Sequence, residues 1–218
     1  MQLTPISILI IILAVLAGLA IAGHVFLRPR LLRWGATGEE VRRTLAGDEL
    51  IPDPVLATTR AVRIRAQPER VWPWLAQMGQ GRGGFYSYDW LENLAGMDIH
   101  NVHRIVPELQ DLQPGDLIPF WRGVGVNVVT VEPPRLLVLG GTLNPSAGEA
   151  QPAGGTWVFA LKEQDSSGTR LVVRSRVARF QPAWLCLLMM RLMEPMHFVM
   201  ERKMMLRIKE LAETVQEN

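Results

Sequence analysis

Residues 182–218 constrain the fold of this chain most. They read as a helix of about 30 residues, because His197, Met200, Met204, Ile208, Leu211 and Val215 recur three or four positions apart and share one face. The first half carries a heavier apolar load: Trp184, Leu185, Leu187, Leu188, Met189, Leu192 and Met193. Arg202, Lys203, Arg207, Lys209, Glu210, Glu213 and Glu217 occupy the rest of the surface and face water. Pro195 lacks the N–H that bonds back to residue 191, and its ring crowds the preceding turn. A kink or a break is expected beside Glu194. The methionine stripe is ordinary core on one reading and adaptable lining for lipid or a cavity on the other.

Ahead of this helix, polarity alternates with period two. Residues 58–65 set Val62 and Ile64 against Arg63 and Arg65, and residues 117–121, 124–132, 156–161 and 169–180 also read as strands. Residues 135–139 are rich enough in leucine and valine to be covered on both faces. Turns fall at Pro114-Gly115-Asp116, at Pro133-Pro134 and at 165–168. A sheet of this kind followed by one long helix is an α+β domain with the sheet packed on the helix. Residues 142–155 hold three glycines and two prolines and read as a surface loop at a cavity rim. Arg170, Arg174, Arg176 and Arg179 load the last strand with charge, either as a solvated face or as a surface drawn to anionic headgroups.

Residues 6–27 contain no charge. As a helix this run is about 33 Å long, which matches a bilayer core of about 30 Å. A cleaved signal peptide would carry positive charge before the run and a small-residue site after it. Residues 1–5 have no such charge, and Arg28-Pro29-Arg30 follows directly. The reading is a retained transmembrane helix. Arg28, Arg30 and Arg33 then place residues 28–218 in the cytoplasm, leaving residues 1–5 outside the inner membrane. Trp34 is expected at the headgroups. Thr37 and Glu40 form a capping box for a short helix that stops at Gly47. Residues 48–54 read as a spacer, so that residues 28–57 join the membrane helix to a domain at 58–216.

Residues 77–94 are compositionally odd. Four glycines in six residues precede the only two tyrosines, Tyr86 and Tyr88, with Phe85 and Trp90 beside them. The stretch lacks the P-loop pattern and its lysine, and a helix precedes it where a Rossmann loop needs a strand. Ser87 is expected to cap a short helix over 88–94. The aromatic residues are either a satellite core or a pocket wall. His100 and His103, with Asp98, fall short of the three or four converging ligands that zinc requires, so no metal site and no cofactor are expected. The net charge of +2 comes without a dense basic block, which argues against nucleic acid. The one cysteine, Cys186, lies in an apolar run and reads as a buried thiol.

Residues 77–94, Asp98-Ile99-His100-Asn101, Arg104-Ile105-Val106-Pro107-Glu108, Gly115-Asp116, Val131-Glu132-Pro133-Pro134 and 194–204 together resemble a bacterial subfamily of the START-like, or polyketide cyclase/dehydrase-like, superfamily. The resemblance spans about residues 34–212. It implies a helix-grip (START/Bet v 1-like) fold, in which a curved antiparallel sheet wraps the carboxyl-terminal helix and leaves a cavity. Branches of the superfamily bind lipids, sterols, hormones or polyketides, some catalyse cyclisation, and others bind proteins. Soluble relatives generally lack a membrane helix.

Three functional readings follow. The first is a membrane-anchored domain that binds a hydrophobic small molecule or lipid, with Tyr86, Tyr88, Trp90, His197, Met200 and Met204 at the wall and Arg122 at a polar end. The second is an anchored interaction domain for a protein partner, with its cavity filled. The third is a cyclase/dehydrase-like enzyme. Glu108, Asp116 and Glu194 are acids without a visible mutual geometry, and no nucleophile elbow is present. Cavity volume separates the interaction module from the other two, and two titratable groups converging in a pocket would favour an enzyme.

Overall fold

The alternating segments assemble into one six-stranded antiparallel sheet. A computed structural model of the chain describes residues 4–121, 124–141, 154–164 and 168–214. Arg122, residues 142–153 and 165–167, on which the expected rim loop and hairpin turn fall, and Val215 lie outside the described residues. The strands are β1 (Leu56–Ile64), β2 (Leu117–Trp121), β3 (Val124–Glu132), β4 (Leu136–Gly141), β5 (Gly155–Gln164) and β6 (Gly168–Val177), in the spatial order β1-β6-β5-β4-β3-β2. β2 and β3 have the limits that alternation predicts.

Register decides what each face carries. Arg60 and Val62 on β1 lie opposite Val173 and Leu171 on β6. Phe159 and Trp157 on β5 lie opposite Val173 and Ser175 on one side and Leu137 and Leu139 of β4 on the other. Because successive side chains alternate between faces, these residues share the inner face. Two helices cover it. The first, α4 (Pro68–Ala76), starts at Gln67 with proline at its first position, where the missing N–H costs nothing. It buries Val71, Trp72 and Leu75. The second, α6 (Ala183–Glu213), buries Met204, Met205, Ile208 and Ala212. A long helix gripped by an antiparallel sheet is the α+β, helix-grip architecture. α6 runs as one continuous helix with Pro195 inside it, so the break expected beside Glu194 does not occur.

The outer face is covered by part of residues 28–57, the segment expected only to join the amino-terminal helix to the domain. α1 (Pro5–Ala22) leads through a π-helical turn at Gly23–Leu27 into α2 (Arg28–Leu32). α3 (Gly38–Arg42) follows, with both hydrogen bonds of the Thr37–Glu40 capping box formed. Residues 34–51 then lie along the sheet. Ala61 N–H donates to the Trp34 carbonyl (3.0 Å). Gly47 has φ +91°, and a Cβ there would sit 2.7 Å from Val138 Cγ1, so only glycine turns here and seals Val138 and Val158 from water. Asp48 is buried. Trp34 rests edge-on against Phe198 at 6.4 Å, under the Arg202 guanidinium, and so belongs to the domain.

Arginine explains the clamp. Arg174 donates to Asp48 (2.6 Å), to Thr59 Oγ1 (3.0 Å) and to the Arg43, Glu40 and Val41 carbonyls. Arg170 binds Glu40 through two nitrogens and the Gly35 carbonyl through one. Arg176 donates to the Asp48 carbonyl (2.8 Å). These three side chains are therefore neither a solvated face nor a headgroup-seeking one: they bind residues 35–48 to β6.

Candidate functional site

Where α6 leaves the sheet, the inner face opens into a cavity of about 490 Å³. Its wall is mostly apolar. Phe85, Phe120 and Trp157 form an aromatic side, with Phe85 and Phe120 stacked at 4.7 Å. Met193, Met196, Met200 and Met204 supply the helical side. Methionine suits this place because its unbranched thioether adapts to an irregular occupant.

A polar group sits in this wall, built around Glu201. One carboxylate oxygen, Oε2, pairs with Arg60 Nη1 from β1. The other, Oε1, accepts from Trp157 Nε1 (3.0 Å) and from Ser175 Oγ (3.2 Å). Both Arg60 and Glu201 are buried, so each requires the other. Arg60 is held from behind by the Leu31 carbonyl (2.9 Å) and lies over the Phe198 ring. His197, one turn before Glu201, has Nδ1 3.4 Å from Arg60 Nη1 and Nε2 3.5 Å from Glu201 Oε1. A guanidinium only donates, so Nδ1 accepts and the proton sits on Nε2, facing Glu201. Burial holds the imidazole pKa below its usual value; Glu201 pulls it up and Arg60 pushes it down. The ring is 36% exposed and forms part of the cavity lining.

Glu92, the second carboxylate of the wall, is held differently. It projects from α5 (Asp89–Leu94), and its Oε2 is buried without a hydrogen-bond partner among the described residues. Burial, with Asp89 nearby, pushes its pKa up to about 7. This carboxyl therefore keeps its proton to a higher pH than an exposed glutamate does.

Among the residues singled out by sequence, His197, Met200 and Met204 come together at the cavity. Tyr86, Tyr88 and Trp90 do not, which corrects the expected aromatic wall. Tyr86 has φ +58°, and its phenol turns into the core, where it accepts from Gln77 Nε2 (2.8 Å) and meets Trp74 edge-on. Its neighbours Phe85 and Ser87 are the ones that face the cavity. Tyr88 lies under the Lys203 ammonium, and Trp90 is 65% exposed. Arg122 falls outside the described residues. Ser87 does not cap α5; its hydroxyl donates to the Met200 carbonyl (3.2 Å). Glu194 pairs with Arg28, and Asp116 accepts from Gln113 N–H, so these acids do not meet. His100 pairs with Asp98, whereas His103 lies beside Arg207.

The glycine-rich turn serves the same corner. Gly84 has φ +77°, and a Cβ there would sit 2.9 Å from the His100 carbonyl oxygen. The close approach lets Asn101 Oδ1 accept from Tyr86 N–H (2.6 Å), which fixes the left-handed turn between Phe85 and Ser87.

Sequence reasoning missed Phe120, Trp157, Glu92 and Glu201 as wall residues, and counted Phe85 only among the aromatic residues of its segment. Glu201 had a signal, since it falls four residues after His197, beside an apolar stripe where a lone acid needs a partner. Trp157 had none, because its place depends on pairing between distant strands.

No family model matches the chain, and no curated protein sequence matches it. Solved structures that resemble it share little sequence. A protein of Nitrosomonas europaea is 15% identical, with 78% of this chain and 98% of that one covered at a TM-score of 0.43. A Polyketide_cyc-like protein of Corynebacterium glutamicum is 12% identical, with 75% and 94% covered at 0.42. A di-domain ARO/CYC protein of the BE-7585A biosynthetic pathway is 14% identical, with 77% and 53% covered at 0.38.

Proposed function

We propose that this chain is a membrane-anchored helix-grip domain that holds an apolar small molecule or lipid between its sheet and α6. The cavity of about 490 Å³ carries this reading, since an interaction module would have no use for an aromatic and methionine-lined void. Burying an acyl chain there contributes about 0.8 kcal/mol per CH₂ before ordering costs. The apolar wall, in which the Glu201 charge is already matched by Arg60, favours a neutral ligand over an ionic one. α1 supplies the anchor, with residues 6–27 crossing the inner membrane and Arg28, Arg30 and Arg33 on the cytoplasmic side. Native mass spectrometry of the full chain, released from detergent after incubation with host lipid extract, tests the reading. One retained apolar species, lost in Met200→Trp, is expected; no retained species from several extracts sinks it.

The approach of His197 to Glu201 at the wall favours a second reading, acid–base chemistry on the bound molecule. His197→Gln would then abolish turnover of the retained species without releasing it.

A further inference from the structure

Among the described residues, the first half of α6 carries the largest group of exposed large apolar side chains outside α1. Trp184 is 67% exposed and Leu192 60%, and Leu187, Leu188, Met189, Met193, Met196 and Val199 are also exposed. At 3.6 residues per turn, these eight positions spread over roughly 240° of the helix circumference. A partner helix covers a stripe of about 100°, whereas hydrocarbon can surround a helix on any side. Residues 183–193 contain one charge, Arg191, whose long stem can carry its head to the interface.

Direction is fixed by contacts. Arg28 binds Glu194 through two nitrogens at 2.7 and 2.8 Å, and further along both chains Trp34 meets Phe198 and Arg202. The two segments therefore run in the same sense. Residues before Arg28 and residues before Glu194 leave the domain on the same side. On that side α1 begins, and about 16 Å of α6 extends beyond Glu194.

We propose that the first half of α6 is a second membrane contact, seated in the cytoplasmic leaflet of the bilayer that α1 crosses. Met193 and Met196 are both exposed and part of the cavity wall. Seating this helix therefore sets the cavity mouth against hydrocarbon, and an apolar ligand passes between leaflet and cavity without crossing water. The inference rests on the reading of α1 as a span.

Single-cysteine spin labels on the full chain test it, in nanodiscs of phosphatidylethanolamine and phosphatidylglycerol. Cys186 is buried, and a Cys186→Ser background serves if it labels. The sites are Leu188→Cys and Leu192→Cys on α6, Leu13→Cys on α1 and Glu210→Cys on the far half of α6. Accessibility to oxygen and to a water-soluble nickel chelate reports depth. The account expects labels at 188, 192 and 13 to favour oxygen at least threefold over the label at 210. Labels at 188 and 192 that match 210 while 13 stays buried would overturn this contact and leave the anchor standing. A water-exposed label at 13 would overturn both. Labels at 188 and 192 shielded from both reagents, with spin–spin broadening, would assign the face to a second copy and also overturn it.

Discussion

Arg60 of β1 and Glu201 of α6 form an ion pair with both side chains out of water, joining the edge strand to the gripped helix beside the cavity. Removing one member strands the other. Arg60→Met should cost about 3–5 kcal/mol in urea unfolding of the detergent-solubilised chain, and Arg60→Met with Glu201→Leu should recover more than half of it. A single variant within about 1 kcal/mol of the parent would show that the pair does not hold the helix.

Arg174 reaches three backbone carbonyls and Asp48 at once, a fork that lysine cannot reproduce. Arg174→Lys should raise amide exchange across residues 38–48 at least tenfold and leave β4 and β5 protected. Unchanged exchange in that segment would mean that it is held by something else.

Glu92 gives the domain a pH dependence. Folding raises its pKa from 4.5 to about 7, so the folded state holds the proton more tightly. That stabilisation is complete below pH 4.5 and is lost as pH rises through 7. Urea midpoints at pH 5 and pH 8 should differ by less in Glu92→Gln. An identical pH profile in the variant would remove Glu92 as the cause.

Much of this fold is legible in the sequence. Period-two alternation located β2 and β3, the Thr37–Glu40 pair located α3, and the final helix was set by its own stripe. Local signals sufficed because each was a local fact. The arginines of β6 were misread because their partners lie about 130 positions earlier, a distance over which one sequence gives no pairing information. The aromatic wall was misread for a different reason. The left-handed residue at Tyr86 turns its phenol inward and leaves Phe85 and Ser87 toward the cavity, and only the packing of Gly84 on Asn101 and His100 sets that turn.

Topology has its own test. The full chain should stay in the membrane pellet through alkaline carbonate, and its carboxyl terminus should resist protease in sealed right-side-out vesicles. Release by carbonate, or digestion from outside, would contradict an anchor at residues 6–27 with a cytoplasmic domain.

The central claim is that the cavity itself takes the ligand, and a photoactivated alkyl diazirine alcohol tests it by marking where an apolar molecule rests. Labelling the full chain in nanodiscs and mapping the adducts by peptide mass spectrometry should place them on Phe85, Trp157 and Met204, with loss at all three in Met200→Trp. That variant is suitable because Met200 is only half-buried, so the added bulk fills the cavity rather than the core. Adducts confined to Trp184, Leu188 and Leu192, with the cavity residues unmarked, would contradict the account.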